Sequence, residues 1–123
     1  MNIFRGTPYP FPITIRMMEK HTLGSQFFMP LDPFDYLVAV AEAKSTVMPE
    51  DVSVFSCSHK QGVNFKPGVW HHPLLVLAEQ QDFLVIDRAG AGENLVEQDL
   101  ASPIMVDLDE NNPQGRLEPR PRQ

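Results

Sequence analysis

Glu19-Lys20-His21 and Val69-Trp70-His71-His72-Pro73 contain the residues of this chain best suited to chemistry. Glutamate and histidine exchange protons near neutral pH once burial or a neighbour moves their pKa values, and both also ligate divalent metals. Alternate residues of a strand share a face, so Glu19 and His21 point the same way. Ile15 and Met17 precede them at the same period and are expected to face the interior, which draws Glu19 and His21 inward and leaves Arg16, Met18 and Lys20 to solvent. A carboxylate and an imidazole on an inner face must be satisfied by each other, by water or by a ligand. The adjacent histidines cannot put both rings into one site: if His71 faces in, His72 faces out, towards a subunit interface.

The same alternation governs Asp87 and Arg88, of which only one can face a cavity. Asp87 is the inner residue if Phe83 and Val85 point inward, and Arg88 is if Leu84 and Ile86 do. Trp70 alternates with His71 and reads as packing, and His59, beside Lys60, reads as solvated. Cys57 lies in the alternating run Val52-Ser53-Val54-Phe55-Ser56-Cys57-Ser58, where a small strand residue is a better account than a nucleophile.

These residues need a scaffold, and the chain's punctuation indicates which kind. Twelve prolines and seven glycines fall between short apolar runs, which suits many strands joined by turns and leaves little room for long helices. The expected fold is all-β. Strands are expected at Ile13 to Glu19, Gln26 to Met29, Tyr36 to Ala41, Val52 to Ser58, Val69 to Ala78, Phe83 to Arg88 and Ile104 to Leu108. Tyr36 to Ala41 is apolar on both faces and should be a central strand, with a second subunit as one source of cover. Turns are expected at Leu31-Asp32-Pro33, Gly62, Pro67-Gly68 and Ala89-Gly90-Ala91-Gly92. The last is glycine-rich but lacks the Gly-Lys-Ser/Thr ending of a phosphate loop. Residues 1–108 read as one domain, and the polar, proline-rich 109–123 as a flexible tail.

A net charge of −6 opposes binding to nucleic acid or to an anionic membrane surface. Apolar runs near Tyr36 to Ala41 and Pro73 to Ala78 are far shorter than a membrane span, and the N-terminus has no basic segment followed by an apolar stretch. A single cysteine rules out an intrachain disulfide framework and makes the cytoplasm the expected compartment.

Glu19-x-His21, then Gln26, with Pro67-Gly68 ahead of His71, resembles the two motifs of metal-binding cupins, His-x-His-x4-Glu and Pro-x-Gly-x-x-His. Glu19, His21, Gln26 and His71 stand at the four ligand positions. The second motif is one residue shorter here, and Gln26 replaces a carboxylate. Glu19, His21 and His71 would hold a divalent ion such as Ni or Zn, while a metal-free site using the same groups for proton transfer suits Gln26 better. Three blocks, Glu19 to Pro30, Gln61 to Leu74 around Gln61-Gly62-Val63-Asn64-Phe65 and Trp70-His71-His72-Pro73, and Asp82 to Arg88, together resemble the ureidoglycolate lyase family, also called ureidoglycolate hydrolase. The resemblance implies a cupin-like β-barrel of jelly-roll type, a homodimer, and cleavage of ureidoglycolate to glyoxylate and urea in allantoin and purine breakdown. The family extends before the point matched by Asn2-Ile3-Phe4-Arg5, so the resemblance implies an N-terminally short form.

Ureidoglycolate bears a hydroxyl, a carboxylate and a urea nitrogen on one carbon. Expelling urea needs a base for the hydroxyl proton and an acid for the leaving nitrogen. His71 and Glu19 suit these roles in either order, with His21 orienting one of them or binding substrate. Gln26 and Asn64 suit the ureido group, and Arg88 or a metal the carboxylate. Two other readings stay open: a non-catalytic cupin that binds a small carboxylate or ureido metabolite, and a metal-dependent cupin acting on another small acid.

Overall fold

The computed structural model describes residues 1–88, 92, 94–107, 116–117 and 120–121. Its strands are β1 (Asn2–Gly6), β2 (Ile13–His21), β3 (Gln26–Pro30), β4 (Tyr36–Ala41), β5 (Ser53–Cys57), β6 (Val63–Phe65), β7 (Trp70–His71), β8 (Leu75–Val76), β9 (Gln81–Asp87), β10 (Leu95–Val106), β11 (Arg116–Leu117) and β12 (Arg120–Pro121). A 3-10 turn at Pro49–Asp51 is the only helical element among the described residues. The strands form two antiparallel sheets, one ordered β1-β9-β3-β6 and the other β11-β5-β4-β7-β2-β10-β12, with β8 also paired to β4. The all-β expectation holds and the arrangement is cupin-like. Among the described residues, however, the two sheets do not close into a barrel.

Strand β4 coincides with its sequence expectation to the residue, and both its faces are covered from within the chain. Leu37, Ala39 and Ala41 join one apolar cluster with Ile13, Ile15, Met18, Trp70 and Val106. Tyr36, Val38 and Val40 join a second with Phe28, Phe65, Phe83 and Val85, so β4 needs no second subunit for its cover. Phe83 is the hub of the second cluster, edge-on to Tyr36 at 5.0 Å and to Phe28 at 6.5 Å.

The expected strand Val69 to Ala78 is broken into β7 and β8, because Pro73 has no N–H for a ladder. Strand β2 begins as expected, but its alternation slips. Ile13, Ile15 and Met18 are its fully buried positions, so the inward face changes between Ile15 and Met18, beside the place where the β10 register shifts between Asp99 and Ile104. Met18 is therefore core rather than solvent-facing. Lys20 lays its ammonium over the Trp70 ring at 4.5 Å, and the Trp70 indole N–H donates to the Lys44 carbonyl at 2.9 Å. Trp70 is packing, as its place in the sequence suggested.

Two glycines answer to geometry. Gly68 has φ +83° at the Pro67-Gly68 turn, and a Cβ on Gly62 would lie 2.6 Å from Phe27 Cζ and 2.9 Å from the Phe28 carbonyl. Of the Ala89-Gly90-Ala91-Gly92 turn, only Gly92 lies within the described residues. Most of the expected tail 109–123 lies outside them too, and its two described pieces pair as β11 with β5 and β12 with β10.

The Tyr36 hydroxyl donates to the Gln61 carbonyl at 2.6 Å and pins the loop that leads into β6. Tyr36→Phe leaves that carbonyl without its donor and is expected to cost about 1–2 kcal/mol. A lower urea midpoint at unchanged slope is the expected reading; an unchanged midpoint would mean that solvent already satisfies the carbonyl.

Candidate active site

Strands β2 and β7 lie side by side, with Glu19 directly opposite His71. Cross-strand neighbours on one face hold their Cβ atoms about 4.5–5.5 Å apart, so this register forces the two side chains together. Glu19 Oε1 is 4.0 Å from His71 Nδ1, too far for a direct hydrogen bond and close enough for both to reach one substrate atom. His21, two residues on from Glu19, sets its ring 5.4 Å from that of His71. On the other side Phe65 stacks on His71 at 4.2 Å, with the ring planes 7° apart. His71 is thus sandwiched between Phe65 and His21 and only 2% exposed.

Burial dictates the electrostatics. Desolvation by burial, with a smaller contribution from the neighbouring His21, pushes His71 down to about 4, so it is a neutral imidazole at pH 7. Glu19 is held above the usual carboxylate range, first by burial and then by Glu97, its neighbour on β10, while His21 pulls the other way. His71 Nε2 is buried with no hydrogen-bond partner among the described residues. A buried polar atom left open beside a cavity marks a place for a ligand.

That cavity holds about 290 Å³, and Glu19, His71, Gln26, Asp87, Asn2 and Phe65 contribute to its wall. Gln26 Nε2 reaches Asp87 Oδ2 at 3.5 Å across the β3–β9 ladder, where the two residues are paired. Phe83 and Val85 are buried, which resolves the strand alternation in favour of Asp87 as the inner residue. Glu19, His71, Gln26 and Asp87 are therefore brought together on the cavity wall, and His21 joins them through its ring contact with His71.

Asn64 and Arg88 are not. Asn64 alternates with the buried Phe65, so its side chain is exposed on the opposite face of β6. Arg88 alternates with Asp87, is exposed, and packs its stem beside Gly24. Among the described residues, no lysine or arginine lines the cavity. His72 also departs from expectation: it is 9% exposed, its Nδ1 lies 2.9 Å from the Pro73 carbonyl, and its ring sits edge-on to Tyr9. It is fixed by its own chain rather than offered to an interface. His59 is partly exposed, with Nδ1 3.5 Å from Asp35. Cys57 is half-buried beside Tyr36, and burial raises its thiol, which suits a structural residue better than a nucleophile.

Two contributors escaped the sequence reading. Phe65 is in the block next to Asn64, and only the register of β6 shows which of the two faces inward. Asn94, on the far side of a glycine-rich segment, places Nδ2 3.4 Å from His21 Nδ1.

Ligand-type atoms of Glu19, His21 and His71 all lie within 4.8 Å of one another. Two imidazoles and a carboxylate are the right types for a divalent ion. Bonds of about 2.0–2.2 Å would, however, set adjacent tetrahedral ligand atoms roughly 3.4 Å apart, so the cluster is wider than a formed metal site.

The all-β cupin-like fold thus carries a cavity with a cross-strand Glu–His pair on its wall. The family model described as ureidoglycolate lyase matches residues 1–107, and the chain belongs to that family. A protein of Azotobacter vinelandii named ureidoglycolate lyase is 50% identical over 97 residues, covering 79% of this chain and 58% of the relative. A Burkholderia mallei protein of the same name is 45% identical over 106 residues, covering 86% of this chain and 62% of the relative. A third, from Pseudomonas syringae pv. syringae, is 41% identical over 115 residues, covering 94% and 68%. The chain spans about three fifths of the length of the first two relatives.

Proposed function

We propose that this chain cleaves ureidoglycolate to glyoxylate and urea, as a lyase of allantoin and purine breakdown. The observation that carries the reading is the Glu19–His71 pair on the cavity wall, in a chain whose family is named for that reaction. The reaction asks for a base at the substrate hydroxyl and an acid at the leaving nitrogen. The neutral His71 imidazole takes the hydroxyl proton, the C–O⁻ pair collapses to the carbonyl, and the C–N electrons leave with urea. Glu19, whose pKa burial raises, delivers the proton to that nitrogen. The opposed shifts favour this order over its reverse, because Glu19 holds a proton more readily than usual for its type and His71 less readily.

Gln26 and Asn2 supply amide groups suited to the ureido end. Gln26→Leu is expected to raise KM about tenfold, the scale of one lost hydrogen bond, with a smaller change in kcat. A larger effect on kcat than on KM would move Gln26 from binding to chemistry.

We take the protein to work as a cytoplasmic homodimer. Ile3 and Ile86, 55% and 50% exposed on the outer face of the first sheet, are residues that a second copy would cover. Among the described residues no helix is long and apolar enough to cross a membrane. The charge of −6 continues to oppose nucleic acid as a partner.

The Glu19, His21 and His71 cluster also supports a second reading, a metal-dependent cupin acting on another small acid through bound Ni or Zn. One experiment separates the readings: incubate the chain with ureidoglycolate, with and without chelator, and measure glyoxylate, urea and ammonia above the spontaneous rate. Glyoxylate with urea, insensitive to chelator, is expected. Ammonia in place of urea would indicate the hydrolase, chelator-sensitive turnover a metal-dependent lyase, and no turnover from a folded chain either a metal-dependent cupin for another small acid or a non-catalytic cupin.

A further inference from the structure

Asn94 makes three contacts with the end of β2. Its backbone carbonyl accepts the Thr22 N–H at 3.0 Å, its side-chain Oδ1 accepts the Leu23 N–H at 2.8 Å, and its Nδ2 lies 3.4 Å from His21 Nδ1. The second contact decides the third. A backbone N–H can only donate, so the Asn94 amide must present its oxygen to Leu23 and its NH₂ to His21. An NH₂ group can only donate as well. His21 Nδ1 must therefore accept, which leaves the imidazole proton on Nε2.

We propose that Asn94 holds His21 in its Nε2–H tautomer, so that the Glu19, His21 and His71 cluster is set against divalent metal binding. A metal needs a lone pair on one ring nitrogen. At Nδ1 the lone pair is taken by Asn94. At Nε2 a lone pair requires the proton to move to Nδ1, where it would meet the Asn94 NH₂ donor to donor. Flipping the amide does not relieve the clash, because it turns NH₂ onto the Leu23 N–H. Metal-binding histidines usually have the opposite arrangement, an acceptor behind the ring that draws the proton away from the metal. Asn94 is thus a positioning residue, acting on the site through His21.

This rests on the lyase reading only for its catalytic consequence; tautomer and metal affinity are measured without turnover. In the chelator-treated full chain, long-range ¹⁵N–¹H correlation spectra at neutral pH are expected to show His21 as the Nε2–H tautomer, assigned by comparison with His21→Gln. The Nδ1–H tautomer would overturn the proposal. Asn94→Asp supplies an acceptor to both Leu23 N–H and His21, and is expected to switch His21 to Nδ1–H. Zn²⁺ or Ni²⁺ binding by calorimetry should then tighten at least about tenfold, the scale of outer-shell effects on metal sites. His21→Ala in the Asn94→Asp background controls for added negative charge. Loss of the gain supports the proposal, whereas a gain that survives without His21, or no gain at all, overturns it. If Asn94→Asp fails to fold, the wild-type spectrum decides alone.

Discussion

Replacing His71 with alanine is expected to lower turnover of ureidoglycolate by at least about a hundredfold, and Glu19→Gln to do the same, each removing one of the two proposed proton-transfer groups. The His71 ring is held between Phe65 and His21, its Nε2 has no partner among the described residues, and Glu19 faces it across the ladder. Because His71 is 2% exposed, alanine also opens a cavity, so the rate must be read beside the urea midpoint and in His71→Asn, which keeps more of the volume. Glu19→Gln is the cleaner test. Glutamine preserves shape and hydrogen-bonding reach but cannot deliver a proton, so kcat should fall with KM nearly unchanged. The double variant should lose little more than either single one if the two groups act as a unit. Wild-type turnover in a folded His71→Asn protein would sink the assignment.

Much of this site could be read before the fold was known, because it rests on short-range periodicity. Glu19 and His21 share a face by alternation alone, and Phe83 and Val85 committed Asp87 inward once their burial was known. Strand β4 was legible to the residue because a run apolar on both faces fits few places other than a covered sheet interior. Weak or broken patterns were not legible. Strand β1 carries Asn2, Arg5 and Gly6, and β6 is only three residues long, so neither shows an apolar period. The first half of β10, Leu95 to Asp99, is largely exposed and gives no core signal. Ile15 and Met18 fall in one cluster although strict alternation forbids it, because the inward face of β2 changes between them. Asn94 shows the deeper limit. Its role depends on which donor meets which acceptor between residues far apart in the chain, and residue type and local spacing do not encode that.

Acidification should destabilise the fold well above the range where carboxylates are protonated. The neutral form of His71 is favoured in the folded chain, with a pKa near 4, against about 6.5 once unfolded. Between these values the unfolded chain binds the extra proton, so stability rises with pH and is lost as pH falls from about 6.5 to about 4. At about 1.4 kcal/mol per pH unit, His71 alone removes about 3 kcal/mol across that window. His72, whose pKa burial also lowers, adds a loss of the same sign from the same starting point. Glu19 works in the other direction: its raised pKa means that the folded chain takes up that proton more readily, which returns some stability as pH falls through the carboxylate range. The net expectation is a steep fall from pH 6.5 to 5, easing below that. Urea unfolding at half-unit pH steps, in chelator so that protons alone compete for the site, measures it directly. His71→Asn should remove the larger share of the slope and His72→Asn the smaller. A stability flat from pH 7 to 5 would mean that His71 protonates as easily folded as unfolded, and an imidazole so accessible to protons would not be the desolvated base on which the proposed mechanism depends.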